Sequence, residues 1–192
     1  MIAYKGFHGN LTCSLGKGVF QYAPGQTIRE RRSECARAGL HCTEYALECF
    51  KWYAINGENR YFEVEASGSI DECGTDAKIA CTELTLLKEL TAFQVAARGM
   101  MYMVEHPFRD WRLHAGGCVA ARDRAEAFTT GHVAIARGAR PMAKGPLGAI
   151  LGLLLEERPG RFLNARIFRV EGDIKPDVWY TLEEKGIQEV AA

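Results

Sequence analysis

Cys13, Cys35, His41 and Cys42 are a chemically adequate set for a metal, because deprotonated sulfur and imidazole complete a tetrahedral zinc shell. Their spacing is that of no standard finger. His41 and Cys42 are adjacent and point to opposite sides of an extended chain, so both reach one ion only across a turn. Free cysteine is also among the most commonly buried residue types, and buried thiols without a metal are the expectation. Cys42 with His8, His41 or His106 has the residue types of a thiolate nucleophile and its base. That chemistry requires an electropositive, partly exposed thiol, which sequence does not show. Gly16-Lys17-Gly18 lacks the spacing of a phosphate-cradling loop.

A different chemistry lies further on. Between Arg112 and Lys144 six bases face only Asp123 and Glu126, with Trp111 just before them. Arg122, Arg124, Arg137 and Arg140 recur at a spacing that stacks them in a column if the segment folds as rungs. Such a column, with Trp111, has the make-up of a recognition surface for a protein or nucleic acid; a solvated face is the alternative.

The elements that must position these residues are legible in part. Ile2 to Phe7 reads as a strand, and Val19 to Tyr22 as a second short one. Thr27-Ile28-Arg29-Glu30 fits a capping box and predicts a helix over 28–38 closed by Gly39. Thr43 and Glu44 open another to Ala54, with Ala46, Leu47, Phe50 and Tyr53 on one face. Residues 60–66 and 78–84 alternate as strands do, around a polar turn at 68–74. Leu86, Leu90, Phe93, Ala97, Met100, Met101 and Val104 step at three and four, an amphipathic helix ending at His106-Pro107.

Past Trp111, Cys118-Val-Ala120, Ala125-Glu-Ala127, His132-Val-Ala134 and Pro141-Met-Ala143 recur between turn residues. Gly and Pro at this density exclude a helix, and small residues at fixed spacing favour a short β-roll of stacked rungs over a loop. Residues 149–156 and 161–171 read as strands around Glu157-Arg-Pro-Gly160, and 178–182 with 187–190 as a final hairpin over Lys185-Gly186. The expected fold is an α+β domain over 1–106. A β-solenoid-like β-roll of about four short units over 118–145 follows, with capping antiparallel strands to residue 192.

The whole chain of 192 residues is globular in composition, 47% hydrophobic and 25% charged, with 24 acids and 24 bases. That balance announces no nucleic-acid or membrane partner. MIAYKGFHGN lacks a basic region followed by an apolar one, and Ala149 to Leu155 is far shorter than the ~20 residues of a membrane span. Seven cysteines without an export signal read as reduced thiols in the cytoplasm.

Three stretches carry resemblances. AYKGF with Leu11-Thr-Cys13 and Cys35-x-x-x-Gly39-Leu-His41-Cys42 resembles an uncharacterised N-terminal domain of phage and prophage proteins. The second half, ending in Ile174-Lys-Pro-Asp-Val-Trp-Tyr-Thr-Leu182, resembles the repeat tail often attached to it. Val133-Ala-Ile135 looks like the head repeats of trimeric autotransporter adhesins. Cys118, Ala125 and His132 stand where small serines are usual in that tail. These resemblances imply a cytoplasmic accessory protein that binds a host protein or protein–nucleic-acid complex, modulating a process such as host defence. They imply no cofactor, and a homo-oligomer through the roll.

The competing implication is an ADP-ribosyltransferase-like enzyme using NAD. Tyr4-Lys-Gly-Phe-His8 would be its first element, Gly39-Leu-His41 with Tyr45 its second, and Glu83 or Glu89 the carboxylate that aligns the ribose. Lys5 stands where that pattern has Arg or His, and His8 lies past the strand.

Overall fold

The computed structural model describes residues 1–14, 18–72, 74 and 77–190, in two units, Met1–Thr91 and Ala92–Ala192. The first unit is built almost wholly of strands: β1 (Ile2–Phe7), β2 (Thr12–Cys13), β3 (Phe20–Gln21), β4 (Thr27–Arg29), β5 (Leu40–Thr43), β6 (Arg60–Glu72) and β7 (Lys78–Leu90). Its one helix among the described residues, α1 (Glu48–Trp52), is five residues long.

Four of these strands pair in a closed ring. β1 pairs with β6, β6 with β7, β7 with β5, and β5 with β1, all antiparallel. Closure hides most of the backbone edges that an open sheet would leave. Alternation fills the interior: Ala3 and Phe7 from β1, Leu40 and Cys42 from β5, Phe62, Val64 and Ala66 from β6, and Ile79, Cys81, Leu84 and Leu86 from β7 form one core with Tyr22 and Leu11. Phe7 meets Tyr22 and Phe62 edge-on at 5.0 and 5.6 Å. The long hairpin of β6 and β7 shifts register between Ser67 and Ile70, where Gly68 has φ +74°.

One seam of the ring is weak. β1 runs six residues against β6 but meets β5 only at Tyr4 opposite Thr43. Beyond that pair the two strands part.

The expected α+β domain is therefore corrected to a β-barrel unit. The helix over 28–38 does not form, because the capping-box residues serve the sheet. Thr27 Oγ1 lies 2.8 Å from Thr85 Oγ1, β4 pairs with β7, and the Glu30 amide donates to Thr82 O at 2.8 Å. The helix over 43–54 shrinks to α1, since Thr43 belongs to β5 and its hydroxyl donates to Glu48 Oε2 at 2.7 Å. Leu86 and Leu90 are strand residues: a spacing of four suits period two as well as 3.6, and pairing with Tyr61 to Val64 decides it. Gly16 and Lys17 lie outside the described residues; most of the turn expected at 68–74 is β6.

The second unit opens with α2 (Ala92–Glu105) and continues through β8 (Leu113–Ala115), β9 (Cys118–Glu126), β10 (Val133–Lys144), β11 (Ile150–Arg158), β12 (Arg161–Arg169), β13 (Tyr180–Glu183) and β14 (Gly186–Glu189). All seven strands share one sheet, in which β9, β10 and β11 are parallel and the remaining pairings antiparallel. The β-roll of four short units is not supported. Cys118-Val-Ala120 and the start of the next unit fall within one nine-residue strand, and Val133 to Ala143 within one of twelve. Two long strands, whose phase shifts at the irregularity between Arg137 and Met142, produce the small inward residues that looked like rungs: Ala125, Ala134, Ala136 and Ala143 are all buried in one cluster with Leu151, Leu153 and Tyr180. Gly152 is required where α2 meets the sheet, because a Cβ there would stand 2.7 Å from Met100 Sδ and 2.9 Å from Ile135 Cγ1.

Candidate functional site

Where β1 and β5 part, the first unit opens into a cleft of about 530 Å³. Strand residues 4–6 and 40–43 form its two sides, the loop 36–39 its rim, and Phe20, Tyr22, Trp52 and Tyr53 its aromatic walls. Gly6 lets one wall come close: a Cβ there would stand 2.7 Å from Tyr53 Cδ2.

Lys5 shares the inward face of β1 with Ala3 and Phe7. Its ammonium bridges the parted strands by donating to the His41 carbonyl, and lies 5.7 Å from the Phe7 ring centre and 5.5 Å from that of Tyr22. The contact satisfies a carbonyl that the missing ladder leaves open. Among the described residues no carboxylate forms an ion pair with this half-buried ammonium, although buried charges are ordinarily paired.

His41 sits across the seam. Burial holds its imidazole below the ordinary histidine pKa, and the charges of Lys5 and Lys78 lower it further. Its Nε2 accepts the Ala36 amide at 3.1 Å, as a neutral ring does. Lys78 Nζ stands 4.8 Å from the centre of the Trp52 ring, and Lys51 Nζ 5.1 Å from it. Arg37 on the rim pairs with Glu34 at 2.8 Å.

Tyr53 is 5% exposed, and its hydroxyl is the buried side-chain oxygen that lacks a hydrogen bond among the described residues. The Cys13 thiol, a weak partner, and the Ser14 backbone amide stand beside it, short of a well-formed hydrogen bond. Burial first, then that thiol, raise the Tyr53 pKa, so the group stays a phenol.

The residues singled out for ADP-ribosyl transfer do not converge. Tyr4 and His41 line the cleft; Tyr45 is buried and does not, and neither does Glu83, which pairs with Arg29 at 3.1 Å. Glu89 is clamped by Arg60 at 2.7 Å. His8 is exposed, bonded to Ser14 and edge-on to Tyr53 at 5.1 Å.

Of the sulfur set, Cys13, Cys42 and His41 line the cleft. Cys35 is disulfide-bonded, which corrects the expectation of reduced thiols throughout and removes it as a thiolate ligand. Cys13, Cys42, Cys49, Cys81 and Cys118 are free thiols, and Cys73 lies outside the described residues. Among the described residues no group of three or more His, Cys, Asp or Glu is placed to hold a metal ion. The Cys42 thiol shares a hydrogen bond with the free Cys81 thiol, and that contact, then burial, push its pKa well up, away from thiolate.

The arginine column is also broken. Arg137 is 1% exposed, and its Nε and Nη2 donate to Glu156 Oε1 at 2.9 and 2.7 Å. Its guanidinium lies between the rings of Trp111 and Phe162, at 5.0 and 4.7 Å, and its Nη2 also donates to Pro107 O at 2.8 Å. Burial raises the Glu156 pKa, but Arg137, the Gly160 amide and Arg122 outweigh it and hold the carboxyl below its usual range. Arg137 and buried Trp111 are thus structural. Arg122 reaches Glu156 Oε2 at 3.4 Å, Arg124 lies over Trp179, and Arg140 is exposed.

Sequence reasoning missed Lys5 and Tyr53 as site residues. Lys5 carried a signal, being the one charge at period two between inward Ala3 and Phe7; the orphan hydroxyl of Tyr53 carried none. Among the described residues no helix is long and apolar enough to cross a membrane. No curated protein and no solved structure matches the chain. The family described as "Domain of unknown function (DUF7666)" matches residues 1–98, a span that takes in every strand of the barrel and the whole cleft, and the chain belongs to that family.

Proposed function

We propose that this protein acts by binding, and that the barrel unit takes a small molecule into the cleft between β1 and β5. The observation that carries the reading is the cleft itself: a concave, aromatic-walled opening with a few convergent polar groups, Lys5, His41 and Tyr53 among them. Among the described residues, Tyr45, Glu83 and Glu89 of the ADP-ribosyltransferase set stay outside the lining. Cys42 is held as a thiol, His41 accepts a backbone amide, and the carboxylate in the lining, Glu30, comes from outside the ADP-ribosyltransferase set.

An accessory role against a host macromolecule, in a phage or prophage setting, rests on the sequence resemblance, and its recognition column loses Arg137 and Trp111 to the interior. The discriminating experiment screens a panel of neutral, cationic and anionic metabolites, NAD included, against the full chain by thermal shift and calorimetry. It is paired with labelled NAD in a host lysate. Saturable binding that weakens with Gly6→Leu, which fills the cleft, supports the proposal. Transfer of label, abolished by His41→Ala, would replace it with the enzyme reading, and a panel with no binder would end it.

A further inference from the structure

We infer that the ligand of this cleft is an anion carrying a flat unsaturated ring, with a nucleoside monophosphate as its nearest simple representative. The inference rests on the proposed binding role and names its chemistry. Three observations, independent of one another, point the same way.

The first is charge. Lys5 presents an ammonium on the inward face of β1 with a backbone carbonyl and two rings for company and no carboxylate pair among the described residues. An ammonium kept half-buried in that way is stabilised by an anion brought to it. Lys78, over the Trp52 ring, and Arg37, paired with Glu34, also line the cleft, with Glu30 as the carboxylate among the described lining residues. Summed in a concave site, these cations attract anions and disfavour cations.

The second is shape and surface. Phe20 and Trp52 stand 39% and 43% exposed at the cleft, beside buried Tyr22 and Tyr53. Aromatic walls of this kind accept a flat ring by stacking, and about 530 Å³ leaves room for a ring and an anionic group together.

The third is Tyr53. A phenol 95% buried at the cleft wall, with the Ser14 amide at its oxygen and only the weak Cys13 thiol to receive its proton, is a donor without a good acceptor. A ring nitrogen, a carbonyl or a phosphate oxygen would serve. The Cys13 thiol beside it would be displaced from that contact on binding.

The experiment uses the full chain and three probes: AMP, adenosine and inorganic phosphate, titrated by calorimetry at low salt. AMP is expected to bind about tenfold or more tightly than adenosine or phosphate alone, since it alone engages both the cations and the aromatic walls. Lys5→Met is expected to lower AMP affinity by roughly tenfold and to leave adenosine affinity nearly unchanged, and Lys5→Arg to restore it in large part. A second readout does not depend on the variants folding. AMP is expected to raise the titration midpoint of the His41 imidazole, and adenosine to leave it in place; Lys5 of β1, Lys78 of β7, and Glu30 and Arg37 of the neighbouring loop are the other charges that face the cleft. Equal affinity for adenosine and AMP, or a His41 midpoint that AMP does not move, would overturn the anion assignment and leave the binding role standing. Binding of none of the metabolites in the panel would overturn the binding role itself.

Discussion

Tyr53 and Glu156 are both buried polar side chains, and they are buried on opposite terms. The Tyr53 hydroxyl has only the Cys13 thiol and the Ser14 amide beside it, neither in a well-formed hydrogen bond, so its burial is poorly compensated. Tyr53→Phe is expected to leave the stability of the empty protein unchanged or raised, by up to ~1–2 kcal/mol, and to weaken AMP binding; differential scanning calorimetry with and without AMP reads both. Glu156, 3% exposed, is saturated by Arg137, the Gly160 amide and Arg122. Glu156→Gln leaves the Arg137 guanidinium buried without its counter-charge and is expected to cost about 3–5 kcal/mol in urea unfolding. Because its folded pKa is lowered, this carboxylate adds stability that is complete above the ordinary carboxylate pKa and is lost as pH falls through the folded value. His41 behaves likewise at higher pH. Its imidazole is held neutral, so the stability linked to it is complete above the ordinary histidine pKa and declines as pH falls below it. Between pH 7 and 5 the wild-type protein is expected to lose more stability than His41→Gln, measured by thermal melts.

At the scale of elements, the cleft depends on one seam and one glycine. β1 is held to β5 by a single residue pair, and Gly6 admits the Tyr53 ring. Gly6→Ala is expected to push that ring aside, costing ~1–3 kcal/mol and narrowing the cleft, with AMP affinity falling alongside. Strands with plain alternation were legible in the sequence: β1, β11 and β12 fall near their expected bounds, and β6 and β7 start where expected but each runs six residues further. Elements whose local signals serve two purposes were not. Thr27 and Glu30 make a capping box on paper, yet their groups are taken up by β7, a partner more than fifty residues away. The alanines of 118–143 mimic stacked rungs because two long strands that shift phase between Arg137 and Met142 bury small residues on both sides of the shift. His41 and Tyr4, singled out by type for a different chemistry, line the cleft. Lys5 read as a departure from a pattern, when its place between Ala3 and Phe7 marked an inward charge. Which arginine of the column would be buried was not legible, since burial of Arg137 requires Trp111, Phe162 and Glu156 together.

At the scale of the whole molecule, the chain consists of a barrel unit with an aromatic-walled cleft and a second unit built on one mixed sheet, locked internally by the Arg137–Glu156 pair. The family match spans the barrel, so the cleft is the feature on which a function for this family is most directly tested. The test is a titration of isotope-labelled full-length protein with AMP, following backbone amide shifts residue by residue. The account predicts saturable shifts centred on residues 4–6, 36–43 and 52–53, with the His41 imidazole midpoint rising as AMP fills the site. Saturable shifts confined to residues 92–190, or none at millimolar AMP, would contradict it.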